Sequence, residues 1–303
     1  MPSLLLTGAH GFVGARLAAR LSTREESLLK AEARLGEPQA VDWSPQLADC
    51  SCVVHLAARV HVMRETAINP LDSFRAVNTE GTLGLARQAA AAGVRRFLFV
   101  SSVKVNGEST VPGRPFRHDD PPQPLDPYGI SKREAEDGLR EIAASTGMEV
   151  VIVRPPLVYG PGVKANFAAM VRAVRRGLPL PLGSVTRNRR SLVSLDNLVD
   201  LLATCIDHPA AANQTFLVSD GEDLSTAELL LRLGQAMGRP ARLLPLPPVL
   251  IRVGAALLGQ RDVAHRLLGN LQVDITHTRE TLGWTPPLSV DDGLRRAVAG
   301  VLS

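Results

Sequence analysis

Lysine is nearly missing from this 303-residue chain: Lys30, Lys104, Lys132 and Lys164 are the only four among 34 basic residues, so arginine carries almost all the positive charge. A lysine kept against that bias invites a search for its chemistry. Cysteine is as sparse. Cys50, Cys52 and Cys205 are odd in number and too scattered for a disulfide framework, and Cys50-x-Cys52 has no second ligand pair at metal spacing. That pattern argues against a zinc site and for a reducing cytoplasm. Charge of one sign is lacking too. Thirty acidic residues leave a formal +4, and no Lys/Arg block gathers as it does in a nucleic-acid binder. The most apolar stretch, 243–258, is interrupted by Pro245, Pro247, Pro248 and Arg252. It falls short of the ~18–20 residues a membrane span requires. The start, Met1-Pro2-Ser3-Leu4-Leu5-Leu6, has no basic segment and runs into a glycine motif, unlike a signal peptide. With 45% hydrophobic and 21% charged residues the chain can bury a sizeable core, in one large or two small domains.

Its first half alternates short apolar runs with helical stretches. Strands are expected at 3–7, 52–56, 96–101 and 149–154, with helices at 12–21, 71–92 and 126–145. Runs apolar on both faces and separated by helices read as a parallel sheet covered on both sides, an α/β Rossmann doubly wound architecture. Residues 22–50, where a second and third strand belong, show only Leu28-Leu29 and 39–41, so short or irregular elements are expected there. After Gly160, Arg- and Pro-rich segments interrupt short helices at 165–176, 196–207, 225–237 and 290–302. This gives a dinucleotide-binding domain at 1–160, with 188–207 a candidate for return to it, and a smaller, mostly helical substrate lobe at 161–303.

Thr7-Gly8-Ala9-His10-Gly11-Phe12-Val13-Gly14 joins the first strand to the first helix. Glycines there allow a tight turn, close approach of a pyrophosphate to backbone N–H groups, and close helix–sheet packing. The helix N-terminus then meets negative charge. The spacing is Gly-x-x-Gly-x-x-Gly. NAD and NADP stay open as cofactor, because Glu32 and Arg34 share the window that would read the ribose, and Asp42 is a further candidate at the adenine side.

In Asp126-Pro127-Tyr128-Gly129-Ile130-Ser131-Lys132, Asp126 suits an N-cap and Pro127 the first helical position. Tyr128 and Lys132 then project from one helix face. An ammonium near the phenol is expected to pull its pKa down from ~10 toward working pH, which makes the pair a proton carrier for a sugar hydroxyl or carbonyl. Tyr128 is one of only two tyrosines.

Several strings occur in order: Gly8-x-x-Gly11-x-x-Gly14, Val54-His55-Leu56-Ala57-Ala58, Asn78-Thr79-Glu80-Gly81-Thr82, Ser101-Ser102, Tyr128-x-x-x-Lys132, Arg154-Pro155-x-x-Val158-Tyr159-Gly160-Pro161-Gly162 and Leu282-Gly283-Trp284. Together they resemble the extended short-chain dehydrogenase/reductases that act on nucleotide sugars. The resemblance implies NAD or NADP in the first lobe, a UDP-sugar in the second, and a homodimer through the long helices. It makes Ser102, rather than Ser101, the hydroxyl that holds the reacting sugar oxygen beside Tyr128 and Lys132. It places Gly8, Gly11, Phe12, Val13, Gly14, Leu56, Ala57, Ala58, Asn78 and Pro155 at the cofactor. It assigns Asn166, near Lys164, to the nucleotide, and Arg190, with Arg266 as a second candidate, to the diphosphate. Lys104 follows Ser102 by two residues, so on a strand-like path it would share that residue's side and face the substrate.

Departures from the family narrow the reaction. Val103-Lys104 replaces the Asp-Glu pair of 4,6-dehydratases, and Val105-Asn106-Gly107 replaces the Val-Tyr-Gly of 4-epimerases. The strings around 59–64, 101–108 and 161–167 look most like UDP-N-acetyl-quinovosamine dehydrogenases, which reduce a 4-keto-6-deoxy-N-acetylhexosamine nucleotide for surface polysaccharide. A 4-keto reductase is therefore expected, with a UDP-glucose or UDP-N-acetylglucosamine 4-epimerase as the alternative. A non-catalytic NADP-sensing regulator would need neither Ser102, Tyr128 nor Lys132.

Overall fold

The computed structural model describes residues 3–22, 27–31, 41–60 and 69–302. Six parallel strands build the main sheet: β1 (Ser3–Thr7), β2 (Ser27–Lys30), β3 (Cys50–His55), β4 (Arg96–Val100), β5 (Glu149–Arg154) and, after two strands placed elsewhere, β8 (Thr215–Leu217). Their order is β2-β1-β3-β4-β5-β8. Alternate residues enter opposite apolar layers. Leu4, Leu6, Val54, Leu98, Val151 and Val153 pack on one face, while Leu5, Val53, Phe97, Phe99, Val150 and Ile152 pack on the other. A period of two buried on both sides is what a covered parallel sheet requires.

The first face is covered by α1 (Phe12–Leu21) and α7 (Leu195–Asp207), the second by α2 (Ser44–Leu47), α4 (Thr82–Ala91) and α5 (Pro127–Thr146). The helix expected as one piece at 71–92 is three: α3 (Pro70–Arg75), a wider π-helical turn (Ala76–Gly81) and α4. That turn carries Asn78, and such widenings re-aim side chains at functional sites. In 22–50, β2 is the one strand that precedes β3 among the described residues, and α2 lies between them. Of the segments considered there, 39–40 lies outside them, as do Glu32 and Arg34.

The second lobe is less helical than expected. Besides α6 (Ala165–Arg175), α8 (Thr226–Ala236), α9 (Pro248–Leu257), α10 (Arg261–Leu268) and α12 (Val290–Leu302) it holds a small sheet, β6 (Leu157–Tyr159), β7 (Arg190–Ser194) and β9 (Asp223–Leu224). Strands of two to five residues are too short to show a period. The chain also returns to the first lobe. α7 buries Leu198, Leu201, Leu202 and Ile206 in the layer shared with α1, and β8 extends the main sheet beside β5. After β8, α11 (Thr276–Leu282) leads into Gly283-Trp284, whose buried indole Nε1–H donates to Asp200 at 3.0 Å.

Candidate active site

The carboxyl ends of β1, β3, β4 and β5 share one edge, and the strand order reverses between β1 and β3. A crevice opens at such a switch point. Here two loops nearly touch. Gly8 has φ +69°, and a Cβ on it would lie 2.7 Å from the Ala57 nitrogen; a Cβ on Gly14 would lie 2.0 Å from the Gly8 carbonyl oxygen. No side chain fits at either place. Gly11 precedes α1 without a side-chain cap, so the first-turn amides, Phe12 and Val13 among them, lack intrahelical acceptors. Bare amides at the N-terminus of a ten-residue helix, beside the small Ala57 and Ala58, suit the diphosphate of a dinucleotide. Leu56 packs with Phe12 and Val13 on the first apolar layer. Asp42 is used locally: its carboxylate accepts the Ser44 N–H at 3.0 Å, and Ser44 holds its pKa below the usual range.

Behind the crevice runs a buried polar chain. The Thr7 hydroxyl meets His55 Nδ1 at 2.8 Å, and His55 Nε2 meets Thr82 Oγ1 at 3.0 Å. Thr82 spends its proton on the Asn78 carbonyl at 2.8 Å, so His55 must donate from Nε2 and accept at Nδ1. Burial, helped by the charge of Lys132, pushes His55 down to about 3, which keeps it neutral. The Asn78 amide is fully occupied by protein. Oδ1 accepts the Arg59 N–H at 2.8 Å, and Nδ2 donates to the Arg59 carbonyl and to Ser131 Oγ, both at 3.0 Å. Ser131 in turn donates to the Tyr128 carbonyl at 2.8 Å. Asn78 thus ties the loop after β3 to the first turn of α5, supporting the site rather than offering a free amide to it. The signal for His55, singled out only within a motif, was a histidine in an otherwise apolar strand.

α5 begins as the sequence suggests. Asp126 Oδ1 accepts the Gly129 N–H at 2.7 Å, and Pro127 follows at the first helical position. Tyr128 and Lys132 lie one turn apart, but the electrostatics differ from expectation. Lys132 is buried, donates to the Val100 carbonyl at 2.9 Å and lies 4.3 Å from the centroid of Phe99. Burial lowers it to about 7, against the opposing pull of Glu136. Loss of water around the phenol raises Tyr128 to about 12, Asp126 adds to the rise, and a hydrogen bond from Ser102 opposes it. Desolvation therefore outweighs the expected acidification of the phenol by the lysine.

Ser101 and Ser102 have separated. Ser101 is buried and donates to Glu136 at 2.6 Å, whereas Ser102 meets Tyr128 and accepts the Lys104 N–H at 3.2 Å. Glu136 also takes a two-point contact from Arg154, at 2.9 and 2.6 Å. Burial tends to raise its carboxyl, but Arg154 and Ser101 hold it below the usual range. Arg154 reaches Asn106 Oδ1 at 3.1 Å as well. Pro155 is buried, its carbonyl accepting the Val103 N–H at 3.0 Å. Residues Val103–Val105 form a tight 3₁₀ turn rather than a strand-like path, so the alternation argument for Lys104 does not apply. Its ammonium is paired with Asp126, and with Glu108 at 3.3 Å.

In the second lobe Asn166 is exposed in the first turn of α6, and Lys164 precedes that helix. Arg190 donates to the Gly269 carbonyl at 3.4 Å. Burial lowers its pKa, and so does the neighbouring charge of Arg266. Two guanidinium groups side by side, neither in an ion pair with a carboxylate among the described residues, form a position that fits an anion. No group of three metal-ligating side chains occurs among the described residues.

Comparison with known proteins agrees with this geometry. Residues 4–219 match the NAD dependent epimerase/dehydratase family. The chain is 49% identical to a UDP-glucose 4-epimerase of Vibrio cholerae, over 99% of this chain and 95% of that one. It is 31% identical to a UDP-glucose 4-epimerase of Mycolicibacterium smegmatis, over 97% and 96%. A crystal structure of UDP-glucose 4-epimerase from Thermotoga maritima with UDP-glucose superposes with a TM-score of 0.77 at 21% identity, over 98% of each chain, a likeness of fold. The chain belongs to the NAD dependent epimerase/dehydratase family, and it is an enzyme of the short-chain dehydrogenase/reductase type that uses a nicotinamide dinucleotide.

Proposed function

We propose that the protein interconverts UDP-hexoses that differ at C4, with UDP-glucose as the first candidate substrate. The observation that carries this reading is the 49% identity, along nearly the whole chain, to a UDP-glucose 4-epimerase. It reverses the preference for a 4-keto reductase. That preference rested on Asn106 in place of a tyrosine and on the strings around 59–64, 101–108 and 161–167; Asn106 itself is buried, accepts from Arg154 and donates to the Arg117 carbonyl at 3.0 Å. Its amide is thereby tied into the loop that carries Arg117 and to the buried Arg154.

In this reading Gly8, Gly11, Gly14, Phe12, Val13, Ala57 and Ala58 would hold a nicotinamide dinucleotide, which would supply reversible hydride exchange at the sugar C4. Tyr128 carries the proton of the C4 hydroxyl. Ser102 holds that oxygen, and Lys132, anchored on Val100, sets the charge beneath the site. Arg190 and Arg266 hold the diphosphate, with Asn166 at the nucleotide. A phenol near 12 in the ligand-free chain is protonated, so Tyr128 is ready to donate to a C4 carbonyl oxygen and must be made more acidic by bound positive charge before it can accept.

The test is stoichiometric. An epimerase converts UDP-glucose to its C4 epimer with no net change in nicotinamide absorbance. A reductase supplied with a UDP-4-keto-6-deoxy-N-acetylhexosamine consumes reduced cofactor in proportion to product. Consumption there, with no epimer formed from UDP-glucose or UDP-N-acetylglucosamine, would overturn the proposal.

A further inference from the structure

On α9 the usual burial is inverted. None of its ten residues is buried, and Leu250, Val253 and Leu257, spaced i, i+3 and i+7 on one face, are 54%, 52% and 83% exposed. Leu258 beyond the helix, and Leu244 and Leu178 in other segments of the lobe, are exposed as well; the segments bearing the last two pair through Leu180 and Leu243. The opposite side of α9, through Ile251 and Ala255, packs on the core of the lobe. Scattered exposed leucines need no explanation, but a contiguous ridge of them does.

The charge around the ridge is one-sided. Residues 239–261 hold Arg239, Arg242, Arg252 and Arg261, all exposed, and no carboxylate. Four cations equal the formal net charge of the whole chain. Asp262 is the only acidic residue between Glu228 and Asp274. None of the four arginines forms an ion pair among the described residues, and Arg239 instead donates to the Arg175 carbonyl at 2.6 Å, bringing the basic end of α6 alongside.

We propose that this face binds the surface of an anionic phospholipid bilayer. An apolar ridge set among unpaired arginines matches an interfacial helix, whose leucines enter the boundary between headgroups and acyl chains while the arginines reach the phosphates. A second copy is a poorer occupant, since a two-fold axis tends to set like-charged rims together. A nucleic acid would match the arginines but leave the leucines in water. No helix among the described residues is long and apolar enough to cross a membrane, so the contact lies in the plane of the surface.

Flotation of the full chain with vesicles tests this. Binding is expected to phosphatidylcholine vesicles that contain phosphatidylglycerol, weakening as salt rises, with little binding to phosphatidylcholine alone. Val253→Glu combined with Leu257→Glu is expected to lower the bound fraction by about tenfold or more. Far-ultraviolet circular dichroism and turnover in solution should remain unchanged, because both side chains point to water. Arg252→Glu with Arg261→Glu should reduce binding and flatten its salt dependence. Failure of the folded wild type to bind the anionic vesicles overturns the proposal, as does binding that survives Val253→Glu/Leu257→Glu. A dimer in solution abolished by that same variant, without vesicle binding, assigns the face to a second copy.

Discussion

At the carboxyl edge of the main sheet, nearly every polar side chain described already has a protein partner, whereas in the second lobe Arg190 and Arg266 form no ion pair with a carboxylate among the described residues. Thr7, His55, Thr82, Asn78 and Ser131 form one connected path from the glycine loop to the Tyr128 carbonyl. Glu136 and Arg154 satisfy each other beneath Ser101. The side chains of the first region are held in place by protein partners. The second leaves two neighbouring guanidinium groups without a carboxylate partner among the described residues. Chemistry that demands fixed positions for a proton carrier favours the first kind of construction, and recognition of a mobile diphosphate favours the second.

The comparison is tested most severely at the phenol. Tyr128→Phe should lower kcat by about 10²–10⁴-fold, the range of general acid–base catalysis. Nucleotide and cofactor affinities, measured calorimetrically, should hold, because the Ser131 contact is to the backbone carbonyl of residue 128. Retention of more than about a tenth of the rate would remove Tyr128 from the proton's path.

Glu136→Gln asks how far the built region depends on its buried pair. The change keeps shape but leaves the Arg154 guanidinium, 2% exposed, facing a neutral amide. A loss of about 3–5 kcal/mol is expected in urea unfolding. Ser101 and Asn106 should be affected as well, since both touch the pair.

Lys132 gives a pH signature. Its pKa of about 7 in the folded chain lies below the ordinary value of 10.5, so the unfolded chain binds more protons between those limits. Stability from this group therefore rises with pH across that window and is lost as pH falls toward 7. Wild type should gain about 2 kcal/mol from pH 7 to pH 9 relative to Lys132→Met. Parallel pH–stability curves would mean that Lys132 stays charged in the fold.

The two regions also differed in how far they could be read from sequence. α1 and α12 fall where their helical period puts them, because each carries one apolar face over ten or more residues, and β5 is a short run apolar on both faces between Glu149 and Arg154. The pairing of Tyr128 with Lys132 was legible for the same reason, since four residues on a helix are one turn. The electrostatics were not. Whether burial or a neighbouring charge dominates depends on Val100, Phe99 and Asp126, which come together only in the fold. β6, β8 and β9 are held by long-range pairing across two or three residues and leave no local trace. The path through Lys104 was read as extended where the chain makes a 3₁₀ turn, so its alternation argument falls away.

The smallest effect is expected in the second lobe. Arg266 is exposed, its Nε–H donating only to the Asp262 carbonyl one turn back at 3.2 Å. Arg266→Ala should therefore leave unfolding within about 0.5 kcal/mol of wild type. If the guanidinium meets a diphosphate, the loss of one charge-assisted contact should raise KM about tenfold with kcat unchanged, because the diphosphate is held equally before and during reaction. The rise should shrink in high salt, where a partly exposed charge is screened. Arg190→Ala should raise KM further, since that group is more enclosed. Equal KM in wild type and both variants would place the diphosphate elsewhere and leave these two arginines as part of the lobe's solvated surface.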